Sequence, residues 1–352
     1  MKRIVIVLAI LFLLPRTVFA SEYTLPDLPD SAEEYMPDNT ESFAEGLWFV
    51  IKTAIGKTQP IIAQTAAQCL SCICIILLCS IVQSLSGNTK SLVNLSGTIL
   101  IALVLLGPAN NMIRLSSQTV EELTDYGNLL LPVLTGALAS QGAVGTSTAL
   151  YAGTALFAGL MNKLICILVV PLIYIYSSIC ICCCALSQPL LEEIKKFIKW
   201  LITWLLKTML YVFAGYLALL SIVFATLVGT AAGFMPAVRA TKLMISGVVP
   251  VVGGIISDAS ETILVSAGLV KNSVGIYGLL ALVCVLIGPF LKVGIPYLMF
   301  KLTGSVCMIF GVKESSKLIQ DFSGTMGMLL GMSVSVGLML MVSTVCFMKG
   351  IS

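Results

Sequence analysis

Histidine is absent from this 352-residue chain, which removes the commonest general base, proton relay and metal ligand together. No Gly-rich loop followed by Lys-Ser or Lys-Thr occurs, so the chain carries no phosphate cradle for hydrolysing nucleotide, and any energy must come from a gradient or a partner. Charge is scarce too: Asp, Glu, Lys and Arg make up 11% of the residues, against about 25% in an ordinary soluble domain. The basic residues are scattered between apolar runs without a dense patch, which argues against nucleic-acid binding. Twelve cysteines invite a metal or disulfide reading, notably Cys69, Cys72 and Cys74, and Cys180 with Cys182, Cys183 and Cys184. These sit inside apolar runs, where free cysteine behaves as a small hydrophobe. Neither catalysis, nor a cofactor, nor a bound metal is expected.

What the chain has in quantity is apolar surface. Hydrophobic residues make up 58% and the mean hydropathy is +1.03, the signature of an all-α, polytopic integral membrane bundle. The net charge of +3 hides an asymmetry, because residues 21–51 carry eight acids and no Lys or Arg. Residues 1–20 read as a secretory signal: Lys2-Arg3, an apolar run from Ile4 to Leu14, then small residues ending in Val18-Phe19-Ala20. An uncleaved anchor is the rival, but the run is short for a span of about 20 residues. Residues 21–42, with Pro26, Pro29 and Pro37, hold too few large apolar groups to fold alone. They form an acidic extracytoplasmic lead-in.

Apolar runs follow at 66–86, 92–113, 129–160, 164–186, 200–230, 243–268, 274–300 and 325–348. An internal echo organises them. Sliding residues 132–171 onto 250–289 gives eight identities, among them Pro132, Gly136, Cys166 and Pro171, where a composition this biased gives about three by chance. The expected layout is a signal at 1–20, an acidic outer segment at 21–60, two spans with an outer loop at 61–128, and membrane repeats at 129–230 and 243–348. Lys and Arg favour the cytoplasmic side. That rule places Lys90 inside and the Glu121–Asp125 stretch outside, makes 129–160 and 243–268 broken or re-entrant hairpins, and leaves the two halves parallel.

Three features carry functional readings beside plainer ones. The hairpin candidate 135–160 is rich in Gly, Ala, Ser and Thr, which serves either close helix packing or the lining of a cavity. Pro132 to Gly136 and Pro250 to Gly254 mark the paired breaks, and Pro171 and Pro289 are either kinks or span ends. Residues 189–207 predict an interfacial helix with proline in its first turn. Its Lys195, Lys199 and Lys207 form a charged face, Ile194, Phe197, Ile198 and Leu201 an apolar stripe, and Trp200 and Trp204 suit the headgroup region. Lys313 and Lys317 match Lys195 and Lys199 at the same offset. Around the second break lie Arg239, Lys242, Asp258, Glu261, Lys271 and Asn272. Such groups either pair inside the bundle, as Arg239 or Lys242 with Asp258 or Glu261, or lie in loops.

Three stretches together carry a resemblance: Met235-Pro236-Ala237-Val238-Arg239-Ala240-Thr241-Lys242-Leu243, Val249-Pro250-Val251-Val252-Gly253-Gly254-Ile255-Ile256-Ser257-Asp258-Ala259, and Leu269-Val270-Lys271-Asn272-Ser273-Val274-Gly275-Ile276-Tyr277-Gly278-Leu279. With the late Asp321-Phe322-Ser323-Gly324, they resemble the stage III sporulation protein AE family. The resemblance implies a non-enzymatic subunit of a channel or secretion-like complex of endospore-forming bacteria, in the mother-cell membrane surrounding the forespore. It implies as partners other stage III membrane-complex proteins, extracytoplasmic ring components, a separate ATPase subunit and membrane lipid. It supplies no catalytic set. A small-solute permease, using Asp258/Glu261 and Arg239/Lys242, and a pure anchor for ring proteins are the competing readings of the same residues.

Overall fold

The computed structural model describes residues 26–37, 42–85, 90–140, 144–186, 188–228 and 273–349. Every regular element among these is helical. Helices α1 (Asp30–Glu33) and α2 (Phe43–Gly56) precede α3 (Gln59–Leu85). Then come α4 (Lys90–Ser140), α5 (Val144–Leu164), a π-turn (Ile165–Val169) and α6 (Val170–Leu186). Helix α7 runs Pro189–Val228, α8 Ser273–Cys307 and α9 Lys313–Lys349. Between α8 and α9 the chain reverses through a 3₁₀ turn and Gly311, whose φ of 82° suits a residue without Cβ.

Six stretches are long and apolar enough to cross a membrane: Gln59–Leu85, Ser91–Gly136, Ser147–Leu186, Pro189–Leu220, Gly275–Phe310 and Lys313–Met348. The protein is a polytopic helical membrane protein. Its helices nevertheless differ from the runs read in the sequence. Residues 129–160 do not break at Pro132–Gly136, because α4 continues unbroken through both and ends at Ser140. Nor is there a loop at Glu121–Asp125, so the 61–128 and 129–230 segments share one helix. Glu121, Glu122 and Asp125 are spaced as one face of that helix requires, and Pro132 forfeits only the hydrogen bond its nitrogen cannot donate. At 1.5 Å per residue α4 measures about 76 Å, over twice the ~30 Å hydrocarbon core. Pro171 brings a different deviation. Immediately before it the helix widens into the π-turn, with the Val170 amide donating to the Ile165 carbonyl, and the chain continues as helix instead of ending a span.

Helix α9 is the axis of the bundle. Of its most apolar stretch 83% is buried, against 28% to 33% in each of the first four candidate spans. Close approaches give the directions of its neighbours. Helix α4 runs parallel to it, Gly97 lying against Ser315 and Gly127 against Leu340; α8 runs antiparallel, with Gly304 at Gln320, Gly327 at Tyr297, Gly337 at Leu286 and Gly275 at Met348. Thr154 of α5 shares a hydrogen bond with Ser343, and Tyr216 of α7 donates to the Ala149 carbonyl of α5 at 2.6 Å. Outward faces carry Leu77, Leu78, Leu100, Leu103, Phe197 and Trp200, all exposed, as a lipid-facing surface requires.

The acidic lead-in docks onto the bundle. Tyr35 is buried beside Gly288 of α8, Ser31 donates to Glu122 of α4 at 2.7 Å, and Lys57 bonds Glu34 at 2.5 Å while lying 4.8 Å over the Tyr35 ring. Burial first, then the Glu34 carboxylate, pushes the Tyr35 phenol above its usual value, and Lys57 opposes them. The segment borrows apolar surface from α8 to become ordered, which it lacks the composition to do by itself.

Gly153 tests the packing. A Cβ there would overlap the Tyr216 ring, whereas Gly159 on the same helix has nothing within 4 Å. We expect Gly153→Ala to destabilise the detergent-solubilised protein by about 1–3 kcal/mol through overpacking, and Gly159→Ala to be neutral or stabilising. Thermal unfolding of the two variants side by side checks this, and equal melting temperatures would refute the close α5–α7 contact.

Candidate functional site: a buried charge cluster between α7 and α9

Pro189 starts α7 where its missing N–H costs nothing, and Glu192 stands in the first turn, beside the positive end of the helix. One turn on is Lys195, almost fully buried. Its Nζ lies 2.8 Å from Asp321 Oδ2 on α9 and 3.5 Å from Glu192 Oε1. Lys317, one turn before Asp321, also bonds Glu192. Signs therefore alternate along a chain Lys317, Glu192, Lys195, Asp321 that crosses between the helices twice. The carboxylates thus offset the cost of burying the lysine charge.

The cluster has an apolar wall. Cys180, Cys183 and Cys184, buried on α6, lie within electrostatic range of Lys195 and Asp321. Tyr176 of the same helix brings its hydroxyl to 3.5 Å from where Gly324 would carry a Cβ. Two cations balance two anions and each has a partner, so the group neither offers a free charge to a solute nor presents a nucleophile beside a base. Among the described residues no three His, Cys, Asp or Glu side chains are arranged to hold a metal. What the arrangement does is lock α7 to α9 in one register.

The sequence reading of 189–207 is corrected here. Lys195 is not on a solvated face: it turns into the bundle with Ile198 and Ile202, while Ile194 and Phe197 of the expected apolar stripe face outward. Lys199 remains exposed. The segment is the first half of the long α7 instead of a separate interfacial helix. Phe197, Trp200 and Trp204 form an exposed aromatic ladder with centroids 5.9 Å and 6.0 Å apart. Of the expected cavity residues, Pro132 is exposed and Gly136 half-buried, toward the far end of α4 from the cluster. Pro250, Gly254, Arg239, Lys242, Asp258, Glu261, Lys271 and Asn272 lie outside the described residues. The structure thus unites Lys195 and Lys317, one from each of the two segments related by the repeat offset though not the pair that it matches, and adds Glu192 and Asp321, which only the acidic spacing beside the lysines could have suggested.

A family model described as stage III sporulation protein AE matches residues 45–350. Stage III sporulation protein AE of Bacillus subtilis (strain 168) is 25% identical over 238 residues, covering 66% of this chain and 58% of that relative. The chain therefore aligns with less than two thirds of the relative's length. No solved structure is similar.

The cluster makes a sharp energetic claim. Replacing Lys195 alone by Met strands Asp321 beside apolar helices and costs about 3–5 kcal/mol, whereas Lys195→Met with Asp321→Leu recovers most of the loss. A double-mutant cycle by thermal unfolding in detergent measures the coupling. Independent, additive effects of the two substitutions would contradict a buried pair.

Proposed function

The chain belongs to the stage III sporulation protein AE family, and we propose that it is a non-enzymatic, membrane-embedded subunit of a sporulation channel or secretion-like complex, helping to form or scaffold a conduit needed for forespore development. In this reading it lies in the mother-cell membrane around the forespore with its mature N-terminus extracytoplasmic. Its partners are other stage III membrane-complex proteins, including extracytoplasmic ring components, with a separate ATPase supplying energy.

The observation that carries the reading is the filled axis. Helix α9 occupies the position a single-chain permease would need for a water-lined path, and several of its polar groups are committed internally. Ser316, Thr325, Ser335 and Thr344 donate to carbonyls one turn back, and Ser323 donates to the Tyr297 carbonyl of α8. Lys317 and Asp321 are ion-paired. A conduit is then built between this subunit and others, with its exposed apolar faces supplying surface for lipid and neighbours.

Two measurements separate scaffold from permease. From sporulating cells the tagged chain should co-purify with ring components, and Lys195→Met should reduce both recovery of that complex and heat-resistant spore titre by at least tenfold. In liposomes the purified chain should show no saturable, gradient-driven solute uptake. Uptake that Asp258→Asn abolishes would overturn the scaffold reading.

A further inference from the structure

The outward face of α4 changes character partway along the helix. Its lower part exposes Leu92, Leu95, Ile99, Leu100, Leu103 and Leu106. Continuing on the same face, the next exposed side chains are Asn110, Asn111, Arg114, Gln118, Glu121 and Asp125, and the run closes at Asn128. No large apolar side chain is exposed on α4 between Leu106 and Leu129. The apolar stretch is about 21 Å long and the polar stretch about 27 Å, so the change is no local irregularity. Arg114, Glu121 and Asp125 take part in no ion pair among the described residues.

Two side-chain contacts fix what stands beside this polar face. Tyr174 of α6 donates to Asn110 Oδ1 at 2.8 Å, and Cys166 of the π-turn lies 3.8 Å from Glu121 Oε1, so residues 166–174 run alongside residues 110–121. At that height the π-turn exposes Ile167 at 71% and Leu168 at 42%, and Ile175 follows at 49%. Lys163 is the only charged residue from Val144 to Leu186, and its long stem lets the ammonium reach away from an apolar surface. The acidic lead-in lies on the α4 side instead. Its Ser31 donates to Glu122, and its Asp27, Asp30 and Glu33 are exposed.

A flat membrane boundary drawn across the bundle cannot separate these two surfaces, because they stand at the same height. Lipid all round would set Arg114 and Glu121 against hydrocarbon, whereas ionisable groups at membrane depth face a bundle interior or an aqueous cavity. Water all round would leave Ile167, Leu168 and Ile175 bare in the most apolar of the six candidate spans. The dividing surface therefore runs along the bundle, with lipid on the α6 flank and water on the α4 flank. We infer that the Asn110 to Asn128 face of α4 is the water-facing wall that this chain contributes to a conduit, with the acidic lead-in beside its upper part. The inference rests on the reading of a conduit built between subunits, since one chain alone cannot enclose the water that this face requires.

Labelling in opened membranes from sporulating cells tests the wall. In a chain whose native cysteines are replaced and which still supports spores, Asn111→Cys, Gln118→Cys and Asp125→Cys should react with a water-soluble maleimide at least tenfold faster than Leu103→Cys, Ile167→Cys and Leu168→Cys. Equal rates would overturn the assignment. Fast reaction at both sets would put the whole level in water, and slow reaction at both would bury the α4 face in lipid or protein. Should the cysteine-free chain fail to support spores, p-benzoylphenylalanine in the otherwise native chain gives the same contrast. It should yield lipid adducts at Ile167 and none at Gln118, and lipid adducts at both or at neither would refute the wall. Co-purification with ring components beside an unreactive Gln118→Cys sinks the wall and leaves the complex standing. A reactive Gln118→Cys in a chain that co-purifies with nothing sinks the conduit reading beneath it.

Discussion

Hydrocarbon offers a polar group no alternative partner, so each amide, hydroxyl and charge in a membrane bundle must be answered within the protein. Helix α9 bears this constraint most heavily, because it is both the most buried helix and one of the most polar. Most of its hydroxyls are answered within the bundle, Ser335 donating to the Gly331 carbonyl at 2.5 Å and Ser343 sharing a hydrogen bond with the Thr154 hydroxyl. Lys317 and Asp321 are answered across the helix boundary by Glu192 and Lys195. The second arrangement cannot be made locally. It obliges α7 to start where it does and to lie parallel to α9.

Packing follows from the same requirement. Helices that exchange short polar contacts must come close, and glycine lets them: Gly97, Gly127, Gly278 and Gly327 each receive a side chain from a neighbouring helix. Large side chains set into glycine positions, such as Tyr297 at Gly327 and Leu340 at Gly127, make the axis solid. A solid axis is a structural element before it is a passage.

Much of this was legible in the residues. Low charge and long apolar runs dictated a helical membrane protein, and the Gly- and Ser-rich stretches announced close packing. The offset between Lys195/Lys199 and Lys313/Lys317 singled out the two segments that meet in the charge cluster. The direction in which Lys195 points was hidden, because a helix with lysines at 195, 196, 199 and 207 has charge on more than one face, and only the position of Asp321 selects which lysine turns inward. Pro132 misled for a related reason. Proline breaks a helix in water more readily than in a bundle where neighbouring helices stabilise its continuation.

By itself the sequence determined the solvent and the class of fold: with 58% hydrophobic and 11% charged residues, no arrangement but apolar helices in a membrane can satisfy the backbone. The family too could be read from it, since a long pattern of particular residues survives translation into any structure. Only the tertiary structure decided that α9 is the axis and that Lys195 is buried and paired with Asp321. Those outcomes depend on contacts between residues as far apart as Lys195 and Asp321. Local periodicity constrains a helix's own faces, and leaves undetermined which neighbour each face will meet.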